Sequence, residues 1–297
     1  MQRSSFLKLG GLTLGALTLD SRQLLASLVQ DPWTIQMLTP EIGVFTEKGG
    51  TILFYLSKEG MVVVDTEFPE QAKHLIGELN KKNDKGYRLL INTHHHGDHT
   101  GGNIEFKGMV PHLVAHANSL KNQRAVADKQ GSADKQFFPD VTFSDTHTEK
   151  VGDETIRFHY FGPAHTDGDA LIHFEKANVV HMGDLINNRR YPYIDRTAGA
   201  SITNWVTVLD KTTKTFSKDT QFVYGHASTG FPVYGKVADI NAMKDYFEKL
   251  IVFAQTEIKA GRTKDEFLKN KAIPGVTEWI GDGIERSLTA AYEEFSV

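Results

Sequence analysis

The stretch Thr93-His94-His95-His96-Gly97-Asp98-His99-Thr100-Gly101-Gly102-Asn103 puts four imidazoles and a carboxylate within six positions. Crowded into one loop, these groups repel and desolvate one another unless a cation is shared among them. Neutral imidazole nitrogen and carboxylate oxygen are both good ligands for a divalent metal, zinc first among them. The bland alternative is a histidine-rich surface turn. The spacing His-x-His-x-Asp-His weighs against it, because the cluster directly follows the apolar run Tyr87-Arg88-Leu89-Leu90-Ile91, which reads as a buried strand. Gly101-Gly102 closes the loop, so the candidate ligands stand at the C-terminal edge of that strand.

Three later loops each carry one more candidate at a strand end. His165 follows the alternating segment Glu149–Phe161, within Gly162-Pro163-Ala164-His165-Thr166-Asp167-Gly168-Asp169. Asp184 follows Val179–Met182, and His226 follows Gln221–Tyr224. Each is preceded by glycine or another small residue, as expected where backbone must close tightly around an ion. One histidine at a strand end is ordinarily structural. Three such loops in series after the first cluster point to a site for two metals.

His94-x-His96-x-Asp98-His99 resembles the signature of the metallo-β-lactamase-fold hydrolases, a superfamily of two-metal enzymes. The resemblance implies an α/β chain folded as a four-layer αββα sandwich. It implies a first metal held by His94, His96 and His165, a second held by Asp98, His99 and His226, and Asp184 bridging the two. Two zinc ions per chain are expected, although a His/Asp set also accepts iron or manganese. Two cations about 3.5–4 Å apart share a hydroxide whose pKa falls toward ~7. Asp98 is then the catalytic residue, holding that hydroxide in line and carrying a proton to the leaving group.

Family branches differ at two of these positions. A cysteine occupies the bridging position in the best-known β-lactamase subclass; Asp184 stands here, and the chain contains no cysteine. Aspartate resembles the glyoxalase II-like, lactonase-like and general hydrolase branches. His96 stands where the flavin-dependent di-iron reductases of this fold carry glutamate. The glutathione-contacting basic arrangement of glyoxalase II is not identifiable in 236–297. The expected function is an exported binuclear zinc hydrolase cleaving a carbonyl-type bond (ester, thioester, lactone or β-lactam) in a small molecule. The alternative within the fold is a mononuclear iron persulfide dioxygenase, using His94, His96, His165 and Asp184 and leaving Asp98 and His99 off the metal. A non-catalytic metal-binding protein is a third reading.

The segment Asn187-Asn188-Arg189-Arg190-Tyr191-Pro192-Tyr193-Ile194-Asp195 follows the bridging aspartate and is where substrate should sit. Asn187, Arg189, Arg190, Tyr191 and Tyr193 are the candidate substrate contacts. The tyrosines could line an apolar, hydrogen-bonding pocket, and Arg189 or Arg190 could hold a carboxylate. Packing of this loop against the following helix is the competing explanation. His95 is expected to point away from the metals and His181 to support them or lie in the core. His74, His112, His116, His147, His159 and His173 carry no spacing signal.

Elements to position this chemistry are legible along the chain. Trp33–Leu38, Gly43–Thr46, Thr51–Leu56 and Met61–Asp65 form an antiparallel meander split by Lys48-Gly49-Gly50 and Lys58-Glu59-Gly60. Asp65 closes the last of these strands within reach of the metal loop. Pro69–Lys82 has helical apolar spacing, and Tyr87–Asn92 delivers the loop. A helix covers Asn118–Lys129, and the polar stretch Gly131–Phe143 reads as a flap. Ala170–Phe174, Val179–Met182 and Gln221–Tyr224 are further strands. Ile202–Phe216, Lys236–Gly261, Thr263–Asn270 and Gly281–Phe295 are helical. Strands then helix, followed by strands then helices, is the order of two sheets between helical layers.

Composition fits a globular enzyme: 40% hydrophobic and 24% charged residues over 297 positions. A net charge of −4 with no basic run advertises no nucleic-acid groove. The absence of cysteine rules out disulfides, thiolate zinc sites and a cysteine nucleophile. At the N-terminus, Arg3 and Lys8 precede a weakly apolar run from Leu9 to Leu19, too short for a membrane span. Residues 1–27 therefore read as an export signal, and 32–297 as a single domain. Arg3-Ser4-Ser5-Phe6-Leu7-Lys8 resembles the twin-arginine signal with Ser4 in place of the second arginine. A periplasmic or secreted protein acting on a small molecule follows, with no membrane span and no trace of oligomeric state.

Overall fold

The computed structural model of this chain describes residues 31–296, and the fold below lies in the unit Trp33–Val297. The export-signal reading of 1–27 falls outside the described residues. Seven strands form the first sheet in sequence order: β1 (Thr34–Met37), β2 (Ile42–Thr46), β3 (Ile52–Ser57), β4 (Gly60–Val64), β5 (Tyr87–Ile91), β6 (Leu113–His116) and β7 (Val141–Phe143). Pairing is antiparallel from β1 to β4 and parallel from β4 to β7. The change of sense occurs where the Pro69–Asn80 helix crosses between β4 and β5, as a parallel pair requires.

The second sheet is built from β8 (Thr146–Val151), β9 (Glu154–Tyr160), β10 (Ala170–Phe174), β11 (Val179–His181), β13 (Gln221–Val223) and β15 (Tyr234–Gly235), in the order β15-β13-β11-β10-β9-β8. Between them, β12 (Asn187–Asn188) and β14 (His226–Ala227) make a two-residue parallel pair beside the site.

Strand alternation assigns the layers. Val62, Val64, Leu89 and Ile91 of the first sheet share a core with Ala170, Ile172, Phe174, Val179 and Val223 of the second. Their neighbours point the other way: Met61, Val63 and Leu90 pack against Ala72, Leu75 and Leu79 of the Pro69–Asn80 helix. On the far side, Leu171, Val180 and Phe222 pack against Trp205, Val208 and Leu209 of the Ile202–Thr215 helix. The same core includes Tyr246, Phe247 and Leu250 of Val237–Lys259, and Leu288 and Ala291 of Ile284–Phe295. Helix, sheet, sheet, helix is the αββα sandwich, with central strands such as β3 and β4 apolar on both faces as a double-covered sheet demands.

Two local expectations are corrected. Gly131–Phe143 is not wholly a flap: Val141–Phe143 adds to the first sheet as β7, pairing in parallel with β6. β6 is itself a strand the apolar pattern left unread, being only four residues long. The segment Glu149–Phe161 is not one strand but the inner parts of a hairpin, turned at Gly152, whose φ of 62° suits glycine. Among the described residues no helix is long and apolar enough to cross a membrane.

Candidate metal centre

All the candidate ligands gather where the C-terminal ends of β5 and β11, and the loops after β9 and β13, meet along one edge of the two sheets. His94 Nε2 lies 3.1 Å from His96 Nδ1, and His165 Nε2 lies 2.9 Å from that same nitrogen. These three nitrogens form one convergent group.

Their outer nitrogens decide the protonation pattern. His165 Nδ1 is 2.7 Å from the carbonyl of Tyr193, and His96 Nε2 is 3.0 Å from Asp195 Oδ2. Carbonyl and carboxylate can only accept, so both imidazoles donate outward. The Thr93 hydroxyl donates to Asp65 Oδ2 at 2.7 Å and therefore accepts from His94 Nδ1 at 3.0 Å. Three lone pairs thus face one another at close to 3 Å. Without a cation that arrangement is repulsive. With one, it resembles an edge set of a coordination tetrahedron, whose N···N separations are about 3.3 Å for bonds of about 2.0–2.1 Å. Outward donation to carboxylates and carbonyls is also how metal-bound imidazoles are usually fixed.

The second group is Asp98, His99 and His226. His99 Nδ1 donates to Asp65 Oδ2 at 2.8 Å, which turns Nε2 inward. That Nε2 and Asp184 Oδ1 are buried without a hydrogen-bond partner, and they stand 3.1 Å apart. Asp184 Oδ2 is 3.6 Å from His165 Nε2 and 3.4 Å from His226 Nε2, so its carboxylate spans both groups. His226 Nε2 is also 3.1 Å from Asp98 Oδ2. Buried, unpartnered polar atoms aimed at a common point are costly unless an ion satisfies them, so this donor set fits metal as well.

Burial raises Asp184 and Asp98, but His226 and His99 outweigh it; Asp184 stays well below the usual carboxylate range and Asp98 at about 2. Burial lowers His94 well below the ordinary histidine value, with His99, His165 and His96 adding to it, and lowers His165 to about 3. His99 is the exception: burial works against its charge, yet Asp184 and Asp65 hold it well above the ordinary value. Asp195 is kept low, against its burial, by His96 and Thr197. For His94 and His165, a neutral imidazole is the state that serves as a ligand, as is the ionised carboxylate for Asp98 and Asp184.

Close backbone approach explains the glycines beside these residues. A Cβ on Gly225 would collide with Asp184 Oδ1, and one on Gly50 with the His99 ring. The turn carrying Gly50 was not connected to the site by any sequence signal, because its partners lie in other loops.

A cleft of about 320 Å³ opens over the group. His96, Asp98, Asp184 and His226 line it, together with Asn187, Arg190, Tyr191, Tyr193 and Arg286. Arg189 departs from the expectation. It is absent from the lining; its guanidinium pairs with Glu278 at 2.8 Å and with Asp239 at 3.5 Å, and packs over Trp279 and Phe231. The left-handed turn at Arg189, with φ of 57°, sends its side chain into the helical layer and leaves Arg190 at the cleft. Arg286, from the last helix, was unforeseen, and so was Asp195. His95 turns to Asp195, at 3.7 Å, and His181 is core structure between the Thr51 carbonyl and the Gly183 amide.

Comparison with known proteins agrees with this geometry. Residues 46–226 match the family described as the metallo-beta-lactamase superfamily. The chain belongs to that superfamily. It is 25% identical over 182 residues to a metallo-beta-lactamase type 2 of Elizabethkingia meningoseptica, covering 61% of this chain and 70% of that one. A hydroxyacylglutathione hydrolase of Methylococcus capsulatus is 31% identical over 106 residues, covering 34% of this chain and 36% of the other. In structure, the chain is similar to a metallo-beta-lactamase from Pontibacter korlensis, with a TM-score of 0.61 at 18% identity, covering 73% of this chain and 99% of that one. Within the superfamily the chain is a metal-dependent hydrolase.

Proposed function

We propose that this chain is an exported binuclear zinc hydrolase that opens a carbonyl-type bond in a small anionic molecule. The observation that carries the reading is the convergence of His94, His96 and His165 with Asp98, His99 and His226 on either side of Asp184. Two such groups sharing one carboxylate suit two ions rather than one. Bound zinc would supply a hydroxide nucleophile at neutral pH and a Lewis acid for the developing oxyanion.

The remaining roles fall to the chain itself. Asp98, ionised and 3.1 Å from His226, faces the cleft and is positioned to hold the nucleophile's proton and pass it to the leaving group. Asn187, its amide bound to the Asp184 carbonyl at 3.1 Å, keeps the cleft wall in place. Tyr191 and Tyr193 form an aromatic side of the cleft. Arg190 and Arg286 line it and make no ion pair among the described residues, so their guanidinium groups are available to an anionic substrate group. Export rests on residues 1–27, with 32–297 as one domain.

A panel of ester, thioester, lactone and β-lactam substrates tests this directly. Hydrolysis of at least one class, abolished by chelation and restored by zinc, is the expected result. The mononuclear iron alternative gains ground instead if no member is cleaved and oxygen is consumed with a persulfide.

A further inference from the structure

Glu67 is buried, is not a candidate ligand and is absent from the cleft lining, yet its carboxylate makes an unusual set of bonds. It accepts the backbone N–H groups of Glu47, Lys48 and Gly49 at 3.0, 2.8 and 2.9 Å. These three amides belong to the turn between β2 and β3, and all three point at one side chain. The turn continues into the site. Gly50 N donates to the Asp98 carbonyl at 2.9 Å, and Gly50 lies against the His99 ring with no room for a Cβ. Thr51 then donates to the Gly225 carbonyl from both its amide, at 2.9 Å, and its hydroxyl, at 3.0 Å. One short turn therefore ties the loop carrying Asp98 and His99 to the loop carrying His226.

The backbone of Glu67 reaches the same loop from below. Its carbonyl accepts Gly102 N at 2.9 Å, and the neighbouring Thr66 donates to the His99 carbonyl through its amide and its hydroxyl. Asp65 and Glu67 sit at φ of 65° and 49°, a left-handed conformation that is unfavourable for an ordinary residue and persists only where surroundings hold it. Here the holding bonds run to the metal loop and to the turn. None of them reaches the outer nitrogens of His96 or His165, which Asp195 and the Tyr193 carbonyl fix separately.

We infer that Glu67 is a positioning residue for one half of the site: by gripping the turn Glu47–Gly50 it sets the spacing of Asp98, His99 and His226, and so the affinity of the second ion but not the first. This rests on the binuclear reading above. Neutralising Glu67 leaves three amides of a part-buried turn facing an acceptor that can satisfy fewer of them, and the turn is expected to relax away from Asp98.

The test is a competition titration of the metal-free full chain with zinc, resolving two binding steps, for the wild type and for Glu67→Gln. The expected result is a second step weakened about 10–100-fold, the range seen when groups supporting metal ligands are removed, with the first step unchanged. Glu67→Asp, which keeps the charge but shortens the reach by one methylene, should give a smaller loss in the same step and covers the case in which Glu67→Gln does not fold. A wild type with two steps and variants with both steps unaltered, or weakened equally, would overturn the inference and leave the binuclear reading intact. A wild type with a single step removes the second site and both conclusions together.

Discussion

The two halves of the site are held in different ways. On one side, His94, His96 and His165 are each aimed by a separate acceptor: the Thr93 hydroxyl, Asp195 and the Tyr193 carbonyl. Tyr193 and Asp195 stand two residues apart in one loop and Thr93 in another, so each imidazole has its own acceptor and removing one acceptor releases one imidazole. On the other side, His99, Asp98 and His226 hang on a shared frame. Asp65 aims His99, and the turn at Gly50 and Thr51 links the Asp98 and His226 loops. One acceptor per imidazole confines the damage of a single substitution; a shared frame gives coupled failure. Asp65 belongs to both arrangements, since it also accepts from Thr93 N at 2.8 Å and from the hydroxyl that orients His94.

Substitutions can break this contrast at graded depth. The largest effect is expected for Asp98→Asn, which leaves the outer supports of His94, His96, His99 and His165 untouched: kcat should fall about 10²–10⁴-fold, the usual worth of a positioned acid–base group, with an unchanged thermal midpoint. Steady-state kinetics on whichever substrate the panel identifies checks it, and near-normal turnover would remove Asp98 from the chemistry. Next come the two supporting aspartates. Asp65→Ala should weaken both zinc-binding steps about 10–100-fold, whereas Asp195→Ala should weaken only one. Identical behaviour of the two variants in a zinc titration would abolish the distinction between shared and separate supports. The smallest catalytic effect separates neighbouring arginines. Arg189→Ala should lower stability by about 1–2 kcal/mol through its lost ion pairs and ring contacts, with kcat/KM within about twofold. Arg190→Ala and Arg286→Ala should do the reverse, raising KM for an anionic substrate with little change in denaturation midpoint.

How much of this was readable beforehand follows the same division. The candidate ligands were legible because metal-binding side chains are restricted in type and spacing: His94, His96, Asp98 and His99 sit in one loop, and His165, Asp184 and His226 each follow an apolar strand. The αββα layering was legible because alternation and helical spacing are local. The supports were not. Asp195 acts on His96 across 99 positions, and Glu67 holds a turn 18 to 20 positions away; neither leaves a local pattern. Arg189 and Arg190 are adjacent and chemically alike, and only the path of the backbone through φ of 57° at Arg189 decides which one meets the cleft. Arg286 arrives from the final helix, whose docking depends on the packed helical layer as a whole. Short strands such as β6 and β7 escaped for a related reason, since four or three residues carry too little periodicity to separate from a loop.

The central claim is that one aspartate, Asp184, is shared by two occupied metal positions. Elemental analysis of the full chain purified without added metal addresses it most directly. About two zinc ions per chain is the result expected. One iron per chain, with no second ion taken up on zinc titration, would contradict it.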